Sequence, residues 1–211
     1  MRMKRLKWAS EHIENCSLIV KQPESYKGKW KEVLNKEKMH VEIGSGKGDY
    51  WIKMAQLYPN IAWIGVEMNE SAAALATRKA QSSNLDNILF IYGNADVIDT
   101  WFDDKEVDVI HLNFSDPWPK KRNHKRRLSA PSFLKKYFDV LSEDGEIQMK
   151  TDNNSLFEFS IMNMQDNNFK LNYISVDFRR DVHDDDAISE YEAKFMSLNL
   201  PIYRAVWNKE D

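Results

Sequence analysis

The residues best suited to chemistry lie between Asn113 and Arg127, which read Asn-Phe-Ser-Asp-Pro-Trp-Pro-Lys-Lys-Arg-Asn-His-Lys-Arg-Arg. Two prolines around Trp118 stiffen the backbone and hold it extended. A rigid aromatic beside a carboxylate, here Trp118 beside Asp116, can stack and orient a planar base. The cations that follow, Lys120, Lys121, Arg122, Lys125, Arg126 and Arg127 with His124 among them, suit the phosphates around such a base. The plainer alternative is an Asp-Pro turn that packs its tryptophan.

A second constellation is glycine-rich. The chain has only seven glycines, yet Gly44, Gly46 and Gly48 fall together in Glu42-Ile-Gly-Ser45-Gly-Lys-Gly. The spacing fits neither the dinucleotide pattern G-x-G-x-x-G nor the P-loop G-x-x-x-x-G-K-[ST]. Glu42, just ahead of the loop, would sit badly against a pyrophosphate and suits a cationic ligand end, such as the amino group of a methionine moiety. Glu67 follows 19 residues after Gly48 and can accept both hydroxyls of a ribose. Gly93-Asn94-Ala95-Asp96 offers amide and carboxylate groups to an adenine edge. Together these features favour S-adenosyl-L-methionine over a nicotinamide dinucleotide.

Such groups need elements to hold them. Apolar runs at 39–44, 61–67, 87–94, 107–114 and 145–152 read as strands, and helical patterns at 49–58, 69–82, 129–141 and 154–165 fall between them. Two more strands, within 169–178 and 201–207, flank a short helix in Ser-Glu-Tyr-Glu-Ala-Lys-Phe-Met-Ser-Leu. This alternation predicts an α/β doubly wound, Rossmann-like sheet of about seven mostly parallel strands, with helices on both faces and an antiparallel edge hairpin. In such sheets ligands bind at the carboxyl ends of the strands, where the strand order reverses. The glycine loop, Glu67, Asp116 and Asp152 all fall at that edge. No linker or repeat interrupts the series, so one domain over 1–211 is expected, with 1–38 a basic, partly helical N-terminal extension.

Composition bounds the alternatives. A chain of 211 residues with 42% apolar residues can bury a real core. No apolar run reaches membrane-spanning length, so no membrane partner is expected, and the charged start Met-Arg-Met-Lys-Arg-Leu-Lys lacks the apolar stretch of a secretory leader. A single cysteine, Cys16, excludes an internal disulfide. His111 lies within a strand and reads as core, while His124 and His183 lack partners at ligand spacing, so no metal is expected. These features point to the cytoplasm. The net charge of −3 hides a basic face formed by 120–127 and a second cluster, Arg2, Lys4, Arg5 and Lys7. A basic face on an acidic protein suits selective docking of a polyanion. Monomer and homodimer both stay open.

The sequence resembles the bacterial tRNA (guanine-N7-)-methyltransferase family, one of the class I S-adenosylmethionine-dependent methyltransferases. The likeness rests on Glu42 to Gly48, on Asn113 to Lys121 with the Lys-Arg-Arg that follows, on Lys150-Thr151-Asp152-Asn153, and on Ser189-Glu190-Tyr191-Glu192-Ala-Lys-Phe leading into Pro201-Ile202-Tyr203-Arg204. It spans almost the whole chain. It implies methyl transfer to N7 of the variable-loop guanosine, position 46 of tRNA, with Glu42, Glu67, Asn94 and Asp116 contacting the cofactor and Asp116 also catalytic. Lys120, Asp152 and Ser189, Glu190, Tyr191 and Glu192 would contact the substrate, and Arg122 to Arg127 the RNA. Ser189 stands where threonine is expected, which keeps the hydroxyl. Two other readings compete. Ser115-Asp116-Pro117-Trp118 is also similar to the Asp/Asn-Pro-Pro-Tyr loop of enzymes that methylate exocyclic amino groups, and a non-catalytic RNA-binding protein that keeps a vestigial form of the fold is the other.

Overall fold

Parallel strands covered on both faces need continuous apolar runs, and the Ile-Ala-Trp-Ile-Gly-Val stretch of 61–66 is one. The computed structural model describes residues 4–210 and builds this run into the interior of a seven-stranded sheet. Arg2, part of the N-terminal basic cluster, lies outside the described residues.

The strands are β1 (Lys38–Ile43), β2 (Ile61–Glu67), β3 (Ile88–Tyr92), β4 (Val107–Asn113), β5 (Leu141–Thr151), β6 (Phe169–Ser175) and β7 (Tyr203–Lys209). The helices are α1 (Ala9–Asn15), α2 (Trp30–Val33), α3 (Asp49–Leu57), α4 (Glu70–Gln81), α5 (Ile98–Trp101), α6 (Pro131–Val140), α7 (Asn154–Gln165) and α8 (Glu190–Ser197). The strand order is β3-β2-β1-β4-β5-β7-β6, parallel from β3 to β5. The order reverses between β1 and β4, which opens a crevice at their carboxyl ends. The closing strands are antiparallel, as expected, but the last one is interior: β7 inserts between β5 and β6 and leaves β6 at the edge.

Each face of the sheet has its own core. Ile13 of α1, Trp51 and Ala55 of α3, and Ala73, Ala76 and Ala80 of α4 cover one side. The alanines of α4 let α1 pack closely, and His12 Nε2 of α1 lies 3.0 Å from Thr77 Oγ1 of α4. Trp30, Trp101, Phe133, Tyr137 and Leu156 fill the other side. The helix starts follow local rules: Asn69 and Asn153 accept the N–H groups of Ala72 (3.1 Å) and Leu156 (2.8 Å), and Pro131 occupies a first turn where it forfeits no bond.

The N-terminal segment packs on the body of the protein. Residues 18–20 pair with β3, Val20 donating to the Phe90 carbonyl (2.9 Å) and Phe90 to that of Leu18 (2.8 Å), so the exposed sheet edge is partly covered. Trp30 is fully buried and its indole donates to the Trp101 carbonyl at 2.8 Å. Cys16 is buried as well.

Candidate active site

The turn from β1 into α3 wraps around the end of β2. Gly44 and Ser45 donate their N–H groups to the Val66 carbonyl (2.8 and 3.0 Å), and the Ser45 hydroxyl donates to the Glu42 carbonyl (3.0 Å). All three glycines have positive φ (80°, 54° and 78°), a region most residues avoid. Their surroundings differ. A Cβ on Gly44 or Gly46 would meet nothing within 4 Å, whereas one on Gly48 would come within 2.8 Å of the Ala76 side chain. Gly44 and Gly46 therefore face open space, while Gly48 lets α3 and α4 approach each other.

Two acids flank that space. Glu42 is buried; its Oε1 accepts from the Asn113 amide at 3.1 Å and its Oε2 has no partner. Burial raises its pKa to about 7, against the Asn113 hydrogen bond and the nearby Lys150 charge. A buried carboxylate oxygen without a partner is costly unless a ligand satisfies it, and the ammonium of an amino acid is the matching group. Glu67 receives the N–H groups of Gly46 (3.0 Å) and Asn69 (2.7 Å), which point it at the crevice. Burial raises its pKa as well, and these backbone donors oppose the shift.

A cavity of about 760 Å³ opens here, and Gly44, Gly46, Glu67, Asn94, Ala95 and Asp116 all line it. That volume holds a nucleoside-sized ligand with room to spare. Glu42 and Ser45 line a neighbouring hollow of about 310 Å³, which shares Gly44, Gly46 and Phe114 with the larger one. Asn94 spends its side-chain oxygen on capping, accepting the Asp96 N–H at 3.1 Å, and its amide reaches the Asp96 carboxylate at 2.7 Å. The residues present fit S-adenosylmethionine: an unsatisfied buried acid for its ammonium, an oriented acid for its ribose, and glycines where a backbone must come close.

The loop after β4 forms the opposite wall. Phe114 and Trp118 adopt positive φ (49° and 41°), uncommon for large side chains. Asp116 is exposed between them, and Trp118 lies under the Arg126 guanidinium at 5.0 Å. The basic run coils into a 3-10 turn, Lys121–Arg126, and Trp118 itself, at φ 41°, departs from the extended backbone expected between its prolines. Lys120, Lys121, Arg122, Lys125 and Arg126 are exposed, and His124 packs edge-on against Phe159.

Arg127 corrects the expectation that the whole run grips RNA. It is 1% exposed; its Nε donates to the Pro117 carbonyl at 2.8 Å and its Nη1 to the Ser155 carbonyl at 3.5 Å, and its guanidinium covers Phe159. Its cation is spent on holding the Asp116 loop. Glu192 also departs from expectation as a substrate contact. It is fully buried, accepting from Arg179 (2.7 Å) and Lys150 (3.0 Å), and it closes a capping box with Ser189 at the start of α8. Of the same stretch, Tyr191 is half exposed and packs on Phe114 at 5.3 Å, and Glu190 pairs with Lys47 at 3.0 Å. Asp152 is half-buried, and burial raises its pKa. Burial raises the Tyr191 hydroxyl too, and the charges of Asp152 and Asp116 add to the shift.

The buried charges behind α8 escaped the sequence reading. Asp186 accepts from Lys150 (2.6 Å), Arg204 (2.9 Å) and the Tyr50 hydroxyl (3.1 Å) and pairs with Arg179. In sequence it is the last of three aspartates that look like solvated surface; a lysine inside the apolar strand around 147–151 was the one available hint. His111 is core, stacked on Trp63 and sharing a hydrogen bond with His40 at 3.1 Å. Among the described residues no group of His, Cys, Asp and Glu could hold a metal ion, and no helix is long and apolar enough to cross a membrane.

A family model described as a putative methyltransferase matches residues 36–205. The tRNA (guanine-N(7)-)-methyltransferase of Oceanobacillus iheyensis is 41% identical over 206 residues, 97% of each chain. That of Listeria monocytogenes is 43% identical over 206 residues, 97% of this chain and 96% of its own. A solved 16S rRNA methyltransferase, KamB, shares the fold with a TM-score of 0.65 at 12% identity, covering 87% of this chain and 94% of its own. Fold and site define a class I S-adenosylmethionine-dependent methyltransferase. Within that class, the chain belongs to the tRNA (guanine-N7-)-methyltransferase family.

Proposed function

We propose that the protein methylates N7 of the variable-loop guanosine at tRNA position 46, acting in the cytoplasm as one methyltransferase domain whose N-terminal segment braces the sheet. The observation that carries this is the meeting of three features at one sheet edge: the cofactor-sized cavity, Asp116 and Trp118 on its wall, and the exposed cations of the 3-10 turn, of which Lys125 and Arg126 also line the cavity. Glu67 takes the ribose hydroxyls, Asn94 and Ala95 flank the adenine, and Glu42 receives the ammonium. When bound, S-adenosylmethionine supplies an electrophilic methyl group. Guanine N7 carries a lone pair and no proton, so the protein needs to position the base more than to deprotonate it, and positioning alone can supply about 7–11 kcal/mol in favourable cases. Asp116 accepts from the N–H groups of the base and stabilises the positive charge that develops as N7 is alkylated. Tyr191 offers a face for stacking, and Lys120, Lys121, Arg122, Lys125 and Arg126 hold phosphates.

Methyl transfer from labelled S-adenosylmethionine to an unmodified tRNA transcript tests this, beside a transcript whose variable-loop guanosine is changed to adenosine. Label in the first alone, released as strand breaks by borohydride and aniline, is the expected result. Equal labelling of both moves the target base, label resistant to that cleavage moves the reaction to an exocyclic amino group, and no label revives the binding-protein reading.

A further inference from the structure

An amino-acid tail presents an ammonium and a carboxylate on one carbon, so a pocket that holds it needs opposite charges side by side. Glu42, with its buried unpartnered Oε2, answers the ammonium; nothing so far answers the carboxylate. The hollow of about 310 Å³ that Glu42 lines carries two cations, Lys47 and Lys194. Its other acids are engaged: Asp49 pairs with Lys79 at 2.7 Å, and Glu190 with Lys47. Lys47 sits within the glycine loop itself, between Gly46 and Gly48, whereas Lys194 projects from the second turn of α8. The Lys47 Nζ donates to both oxygens of Glu190, another residue lining the hollow, at 3.1 and 3.0 Å.

We infer that Lys47 is the partner of the cofactor's methionine carboxylate, and that Glu190 occupies this place until the cofactor displaces it. This rests on the cofactor reading of the glycine loop and goes beyond it by naming the carboxylate's partner and its competitor. The exchange is cheap, because Lys47 and Glu190 are both well exposed and such pairs contribute little to stability. It replaces one carboxylate with another on the same cation. The Glu42 charge then lies beside a ligand ammonium, while Lys47 closes the other end of the zwitterion.

Isothermal titration without tRNA tests this, comparing S-adenosylmethionine with its decarboxylated form, which keeps the sulfonium and the ammonium. For the unaltered protein S-adenosylmethionine binds more tightly by roughly tenfold, the difference a charge-assisted carboxylate contact makes. K47M should abolish that preference by weakening S-adenosylmethionine alone, and the near-constant affinity of the decarboxylated ligand shows that the variant is folded. E190Q should act in the opposite sense and tighten S-adenosylmethionine by about two- to fivefold, since it removes a competing surface charge. If K47M weakens both ligands equally or neither, or if E190Q loosens S-adenosylmethionine, the assignment fails while the cofactor site stands. If the unaltered protein binds neither ligand, the cofactor reading fails and this assignment with it.

Discussion

At the scale of single residues, the site is built around acids whose surroundings oppose their charge. Glu42 is the clearest case, its pKa raised from 4.5 to about 7 chiefly by burial. Between those values the folded protein holds a proton that the unfolded chain has released, so this residue makes stability fall as pH rises through the window, by about 3 kcal/mol at most once both states are ionised. Glu42→Gln should therefore raise the melting temperature of the ligand-free protein at pH 8 more than at pH 5. A ligand ammonium favours the ionised form, so S-adenosylhomocysteine should bind more tightly as pH increases from 6 to 8 and release a proton near pH 6. Titration in buffers of different ionisation enthalpy measures that proton directly; affinity that is flat with pH would remove Glu42 from the ammonium site. Asp116 calls for a different prediction, because it is exposed and lines the cavity beside the basic turn. Asp116→Ala should lower kcat on the order of a hundredfold, the size of a lost charge-stabilising group, with a much smaller change in cofactor affinity. Single-turnover kinetics beside the binding titration separates the two effects, and turnover preserved within a few-fold would end its catalytic assignment.

At the scale of elements, the local rules that place the site are strong, which is why so much of it was legible. Strand β2 and helix α7 run over 61–67 and 154–165 as the apolar patterns predict. The glycine loop and Asp116 lie on the crevice because strand–turn–helix order puts them there. Long-range pairing was not legible. Arg127 is one of six cations within eight residues, and nothing beside it in sequence distinguishes it from Arg126. Its burial depends on Ser155 and Phe159, both in α7. Asp186 and Glu192 owe their burial to Lys150, Arg179 and Arg204 in the same way. Helix α5, a single turn at Ile98–Trp101, is too short to show a period. The consequence for Arg127 is testable. Its planar fork reaches two carbonyls while covering an aromatic ring, a geometry lysine cannot reproduce. Arg127→Lys should loosen the Asp116–Trp118 loop and lower kcat by about tenfold, as a misplaced catalytic group does, while leaving the salt dependence of tRNA binding untouched. A change in that salt dependence would return Arg127 to the RNA-binding surface.

At the scale of the whole molecule, the question is how a chain of net charge −3 binds a polyanion. Overall charge repels RNA weakly, but screening confines it to about 8 Å at physiological ionic strength, so the local surface decides. That surface is the 3-10 turn and its lead-in, where Lys120, Lys121, Arg122, Lys125 and Arg126 stand exposed without a described acid pairing with them. The paired acids lie elsewhere: Asp186 and Glu192 are buried behind α8, and Glu190 is engaged with Lys47. The basic face is therefore undiluted by described acids, and two of its cations, Lys125 and Arg126, line the cavity. If three to five of these cations contact phosphates, the logarithm of affinity should fall against the logarithm of salt with a slope of roughly −2 to −4. Raising salt from about 50 to about 200 mM would then weaken tRNA binding between roughly 15-fold and 250-fold. Removing one exposed cation, as in Arg122→Ala or Lys125→Ala, should reduce the steepness by about one unit and weaken all tRNAs alike, because phosphate contacts carry no base information. Fluorescence anisotropy with labelled tRNA across that salt range measures the slope for each variant. A slope near zero for the unaltered protein would mean that shape alone recruits the RNA, and the basic turn would lose its role.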